Sequence, residues 1–507
     1  IAVYDADVRP LPEISQCPQD GFAAYYEVNP YYVDTLDGKV IAQFLNTIYQ
    51  CYYDNLSEEE RSCMEGFFTD EPQISRNGIP WSFILEAEYR QDWQEELLTV
   101  LPGLFRDDAE NARRTRARFW RTITRLFSEN FCRQIYLWCH AHGWKLTGHL
   151  VLEETLLWQL FSNGACMPHY EYFDIPGMDM LGRYLTTLLA PLQLFSAAAQ
   201  TGHSQVLSET FALCGWAVDF TDLRWLYQWQ MVHGVNLLCQ HLEGYSLRGI
   251  RKRDYPASHF RHQPWWEYDH LFVDYVSRIG TLLESGKVEY EVLLLHPQSS
   301  AHLNYNDQDN GKLAEYDSAF LECTKALEAA QINHHYGDET LMARHGSVRD
   351  GRLVIGNQSY STVIVPKLCE LSANQIELLT AFVKAGGVIL GIENDIEAGA
   401  FAVDGVECPA HPILASIRWF KSIGELIAAH PELALLSVRT PEGGACPDIN
   451  VTSRGFADFD GKGARLYYLV NNDRHAGCAA VIEIAAAGLE KYDPVTGEVV
   501  PVEFTVR

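Results

Sequence analysis

Short apolar runs alternate with longer stretches of helical periodicity over the first part of the chain. The runs are Ile1–Tyr4, Phe22–Tyr26, Gly66–Thr69, Lys145–His149, Tyr170–Phe173, Gln205–Ser208 and Val235–His241. Each has the length of a buried strand, and the segments between them read as helices. Ala112–His142 is a long example, with Phe119, Ile123, Leu126, Phe127, Phe131, Ile135 and Trp138 recurring at three- and four-residue spacing. Strand then helix, repeated, predicts a parallel sheet with crossover connections. Seven strands are one short of a closed (β/α)8-type barrel, whose first strand would lie before Ile1. The predicted barrel occupies residues 1–288.

The pattern changes near Tyr290. Glu291–His296, Ser361–Pro366 and Gly387–Leu390 read as strands, and Lys312–Gln331 and Ser372–Ala385 as amphipathic helices. This predicts a small doubly wound α/β domain over residues 289–428. The Ala385–Gly387 turn follows a helix, whereas a dinucleotide fingerprint precedes one, so it is read as a helix stop. Beyond it, Ala464–Val470 and Ala479–Ile484, with glycine-containing turns between, predict a small C-terminal antiparallel β-domain over residues 429–507.

Composition narrows the partners. A net charge of −28 over 507 residues disfavours nucleic acid and anionic membrane surfaces, leaving a neutral or weakly charged ligand as the easier partner. No apolar stretch reaches the roughly 18 residues of a membrane-spanning helix. The 13 cysteines are scattered without paired CxxC spacing, which predicts reduced thiols and a cytoplasmic protein, with a leader upstream of Ile1 still compatible. His140 and His142 lie two apart on a helix and face different directions, and neither HExxH nor GxSxG occurs. No metal site or cofactor is therefore expected. A hard cation held by Asp70 and neighbouring acids is the lesser alternative.

The candidate chemistry sits at predicted strand ends. Gly66-Phe67-Phe68-Thr69-Asp70-Glu71-Pro72 is an apolar strand ending in acids, and Pro72 stops strand pairing. Val206-Leu207-Ser208-Glu209-Thr210 repeats the arrangement with a lone carboxylate. Barrel enzymes place catalytic groups at this end, and two opposed carboxylates are what cleavage of a glycosidic bond requires. Glu71 is the expected acid, partly buried with a raised pKa, and Glu209 the nucleophile or base. Expected substrate contacts are Asp70, His149, Tyr170, Asp174, His241 and Glu243 at strand ends, Glu153 or Glu154 at a helix start, and Trp216 and Trp265 as stacking platforms. Either Glu153 or Glu154 could also replace Glu71 as the acid. Asp174 and Asp179 flank Pro176-Gly177 and read equally well as turn residues.

The motifs GFFTDEP, WCHAHGWKLTGHLVLEE, PGMDML and VLSETF resemble bacterial barrel glycosidases of the α-L-rhamnosidase type, glycoside hydrolase family 106. Their order and spacing are also similar to the clan containing family 42 β-galactosidases. The resemblance implies an acid/base Glu after the fourth strand, often as Asn-Glu-Pro, and a nucleophile Glu after the seventh. Glu71 matches the first, with Asp70 replacing the usual Asn, and Glu209 matches the second. It implies a rhamnoside or galactoside substrate and a bacterial source. Rhamnosidases of this type can be inverting and calcium-assisted, so calcium is the one cofactor it suggests. The second domain is similar to the flavodoxin-like module used for trimer contacts in family 42, which implies a homo-oligomer; His335–Thr340 falls in this module without an evident chemical role. The competing readings are a non-catalytic carbohydrate-binding barrel and a hydrolase or amidotransferase using Cys369.

Overall fold

The computed structural model describes residues 2–4, 10–12, 21–75, 78–109, 111–253, 255–306, 309–392, 401–456 and 463–505. Five strands, β1 (Gly66–Asp70), β2 (Lys145–His149), β3 (Ile175–Met180), β4 (Leu207–Thr210) and β5 (Leu237–Gln240), lie side by side in chain order. Every neighbouring pair is parallel, and the sheet curls into a half-barrel. Gly148 is obligatory where β1 and β2 meet. Its φ is 139°, and a Cβ there would stand 2.0 Å from the Thr69 carbonyl oxygen.

Two of the seven expected barrel strands belong elsewhere. Ala2–Tyr4 pairs antiparallel with Phe22–Ala24 and with Pro10–Leu11 in a separate three-stranded sheet; Ile1 is outside the described residues. Alternation marks a strand but not its partner, and these short strands find partners close in sequence. The expected strand Tyr170–Phe173 is also displaced. Met167–Tyr170 is a buried helical turn with Pro168 near its start, and the strand begins afterwards at Ile175.

The long helix forms as predicted, with one modification. Ala112–Leu126 runs into a π-helical segment, Phe127–Arg133, and resumes as Gln134–Ala141. Phe119, Ile123, Leu126, Phe127, Phe131 and Ile135 are all buried.

The second parallel sheet contains β6 (Val292–Leu295), β7 (His334–Gly337), β8 (Thr362–Val365), β9 (Val388–Ile392) and β10 (Arg418–Phe420), in the spatial order β7-β6-β8-β9-β10. Renumbered within this sheet, the order is 2-1-3-4-5, that of a doubly wound α/β unit. The helices Gly311–Ala329 and Ala373–Lys384 lie close to the predicted bounds, the second opened by a Ser372–Gln375 capping box. At the helix stop Gly386 adopts a φ of 94°. Farther along, Ile449–Phe456 pairs antiparallel with Ala464–Asn471, and Ser437–Arg439 with Val481–Glu483.

One hydrophobic cluster runs through both parallel sheets, including Leu146 and Met178 of the first and Val292, Leu294 and Leu390 of the second. An ionic knot joins them as well. Arg121 of the long helix lies 3.0 Å from Glu339, 3.1 Å from Glu370 and 3.1 Å from Asp404. Glu339 follows β7, and Glu370 lies on the segment after β8. Among the described residues, no helix is long and apolar enough to cross a membrane.

Candidate active site

Strand register brings the site together. Asp70 lies opposite His149, His149 opposite Gly177, and Asp179 opposite Glu209. Residues paired across parallel strands project to the same face, as do residues two apart on one strand. Asp70, His149, Asp179 and Glu209 therefore share the inner face at the C-terminal ends of β1 to β4.

His149 is the hub. It is buried, with Nε2 2.8 Å from a Glu209 carboxylate oxygen and 3.5 Å from Asp70, while Nδ1 lies 3.2 Å from the Leu150 carbonyl. Both ring nitrogens thus face acceptors, which favours the doubly protonated imidazolium. Burial works against that charge. The Glu209 hydrogen bond and the charges of Glu153, Asp179 and Glu209 outweigh it, raising the pKa to about 9. The edge of Phe68 closes over the ring, with centroids 5.5 Å apart.

Glu209 is held in the complementary state. Burial pushes its pKa up, but the hydrogen bond and charge of His149, with the charge of His241, prevail and lower it below the ordinary value. His241 Nε2 stands 3.7 Å from the second Glu209 oxygen.

Glu71 directly follows β1 with a φ of 47°. Leu152, shortly after β2, and Phe211, directly after β4, have φ of 57° and 78°. Non-glycine residues in this region store strain of order 1 kcal/mol or more, and such strain clusters at functional sites. Three chain segments leaving the sheet therefore turn in a costly conformation on the rim that carries the acids.

Behind His149, Glu153 is fully buried and accepts a hydrogen bond from the Tyr170 hydroxyl. Burial raises its pKa to about 8. Tyr170 is thus a supporting residue beneath the site rather than one at a strand end. Burial raises Glu154 also, and one of its oxygens is sealed with no hydrogen-bond partner among the described residues.

Other sequence candidates separate from this centre. Asp174 precedes β3, at the opposite end of the sheet, where it binds His140 at 2.9 Å and accepts from the Leu146 amide at 2.9 Å. The sequence predicts it at a strand's C-terminal end because the apolar run Tyr170–Phe173 starts five residues before the strand that forms. Glu243 is exposed and paired with Arg261. Trp216 is exposed, with its ring 5.5 Å from Phe260. Trp265 is partly buried, its indole donating to the Val218 carbonyl. Cys369 is buried, its sulfur 3.3 Å from Asn304 and 3.5 Å from Arg113.

The residue that the sequence does not single out is Asp179, which reads equally well as a turn residue. It is inside β3, paired with Glu209, and carries a pKa raised to about 7 by burial and by the charges of Glu209, Glu71 and Asp70, against the pull of His149. The available signal was parity along the strand, masked by Pro176 and Gly177.

Asp70, His149 and Glu209 place one donor atom each within 4.8 Å of one another. As a calcium shell they do not fit. Calcium takes about six to eight oxygen ligands, and both His149 nitrogens face acceptors, leaving no lone pair to offer.

The fold and the placement of acids define a parallel (β/α) half-barrel, with carboxylates on its C-terminal rim, joined to a doubly wound sheet. Among solved structures, the chain is similar to a rhamnosidase from Novosphingobium sp. PP1Y, with a TM-score of 0.68 and 16% identity over 96% of this chain and 46% of that one. This chain therefore spans about half the length of that rhamnosidase. It also matches a β-galactosidase from Rahnella sp. R3, with a TM-score of 0.46 and 14% identity over 88% of this chain and 66% of that one. At these identities the likeness is one of fold. No family model matches the sequence, and no curated protein matches it.

Proposed function

We propose that the protein is a glycoside hydrolase, with Glu71 as the acid and Glu209 as the ionised partner carboxylate. The observation that carries this reading is Glu209 itself, largely buried yet held ionised between His149 and His241 on a rim shared with Glu71. Glu71 gives its proton to the departing glycosidic oxygen as the bond to the anomeric carbon breaks. Glu209 either bonds to that carbon directly, with water completing the cycle, or takes a proton from the water that adds to it. A carboxyl separation of about 5–5.5 Å corresponds to the first route and about 6.5–9.5 Å to the second. The likeness to a rhamnosidase fold makes a rhamnoside the first substrate to try and a galactoside the second. The segment spanning β6 to β10 is read as flavodoxin-like on its strand order.

The test is hydrolysis of a panel of nitrophenyl α-L-rhamnosides and β-D-galactosides. Replacing a reacting carboxylate by its amide is expected to lower kcat by about a thousandfold or more in Glu71→Gln and Glu209→Gln. Turnover indifferent to both substitutions rules the assignment out. Sugar binding without turnover by the wild type points instead to a carbohydrate-binding barrel.

A further inference from the structure

Asp179 has the position of a reacting group and, among the described residues, no hydrogen-bond partner at its buried oxygen. It lies in register with Glu209 on the adjacent strand. Its Oδ1 is sealed from solvent, and among the described residues nothing donates a hydrogen bond to it. Glu209, by contrast, has an imidazole near each oxygen. Buried carboxyl oxygens are ordinarily satisfied, so an orphan of this kind needs a physical reason.

The groups facing Asp179 are mostly acidic. They are Glu209 on β4, Asp70 and Glu71 at the end of β1, His149 on β2, and Glu153 beyond it. Among the described residues His149 is the cation acting on Asp179, and it is already engaged by Glu209 and Asp70. Burial, with the charges of Glu209, Glu71 and Asp70, outweighs the pull of His149 and raises the Asp179 pKa to about 7, where Glu209 beside it is ionised. Two adjacent carboxyls with separated proton affinities can do different work: Glu209 accepts, and Asp179 donates.

We propose that Asp179 is a third carboxyl of the reacting centre, touching the bound sugar and donating a hydrogen bond to a hydroxyl beside the reacting carbon. The proposal rests on the glycosidase reading for its substrate, a pyranose seated against Glu209. Residue 179 is partly exposed although its Oδ1 is sealed. The remaining face of the side chain is turned to the inner side of the sheet. A sugar hydroxyl arriving there supplies the missing partner and removes the water that would otherwise compete. Asp179→Asn keeps the shape and a donating amino group but cannot titrate; Asp179→Ala removes the contact.

The experiment compares wild type, Asp179→Asn, Asp179→Ala and Glu209→Gln by two readouts. One is kcat/KM against pH with the nitrophenyl glycoside that the wild type cleaves best. The other is calorimetric binding of L-rhamnose and of D-galactose at about pH 6 and about pH 8, either side of the Asp179 transition. Loss of one hydrogen bond that strengthens in the transition state is expected to lower kcat/KM by about a hundredfold in Asp179→Ala, while Asp179→Asn stays within about tenfold. Sugar binding by the wild type should weaken between the two pH values and stay level in Asp179→Asn. Wild-type turnover lost in Glu209→Gln, with pH profiles and binding unchanged in Asp179→Asn, overturns the role of Asp179 and leaves the glycosidase standing. No wild-type turnover, with sugar binding that loses its pH dependence in Asp179→Asn, supports the contact and sinks the glycosidase. Wild type that neither cleaves nor binds overturns both.

Discussion

At the scale of single residues, the decisive relationship is between His149 and Glu209. A buried carboxylate left alone takes up a proton; one beside an imidazolium keeps its charge. His149→Gln preserves hydrogen bonding and removes the cation, so the Glu209 pKa is expected to rise. The acid limb of kcat/KM should move up by about one pH unit or more, since each unit corresponds to about 1.4 kcal/mol of differential interaction. A limb that stays in place would show that Glu209 is not the ionising group. The sign for stability follows from the same pair. His149 is raised from 6.5 to about 9, so its contribution is full below about pH 6.5 and lost as pH rises through about 9. Glu209 is lowered, so its contribution is present above its unfolded value and lost as pH falls through the folded one. Together they favour the fold most in the window between those limits. Much of this centre was legible in sequence, because Glu71, His149 and Glu209 each end an apolar run. The protonation states were not, because they depend on which side chains meet across strands.

At the scale of elements, β2 and β3 show where pattern succeeds and where it fails. Lys145–His149 has the predicted bounds, since an apolar run beside a helix stop leaves few alternatives. Ile175–Met180 contains Pro, Gly and Asp, residues that locally mark turns, yet it lies between two parallel partners. β7 carries no apolar signature for a similar reason. His334 and His335 look polar, but inside the sheet His334 Nδ1 meets the Ile332 carbonyl at 3.1 Å and His335 Nδ1 the Tyr360 hydroxyl at 3.0 Å. Gly148 is the point at which β1 and β2 tolerate no change. With an added Cβ 2.0 Å from the Thr69 carbonyl oxygen and a φ of 139°, Gly148→Ala must push the strands apart. Overpacking and backbone strain of this kind are expected to cost about 4 kcal/mol or more. Chemical denaturation would report the loss, and a wild-type midpoint would refute the close approach.

For the whole molecule, the two parallel sheets share a core and an ionic knot. Arg121 is largely buried and satisfies three acids presented by the second sheet and the segments beyond it. Removing one partner from a buried ion cluster costs about 3–5 kcal/mol, because the remaining charges stay desolvated. Arg121→Met is accordingly expected to lower the thermal midpoint by several degrees. Because Arg121 lies far along the chain from its partners, differential scanning calorimetry should also show the loss affecting both sheets in one transition. An unchanged midpoint would mean that the knot is energetically idle. Strand pattern in the sequence marks most of the strands of each sheet, but long-range charge pairing leaves no periodic trace.

The Arg121 knot bears on how the protein could be reused. A fragment ending at the barrel would carry a stranded guanidinium and a bare oily flank, so the half-barrel is not a portable part. Anyone grafting this acid-lined rim onto another scaffold would have to transplant the second sheet with it, or redesign the flank that it covers.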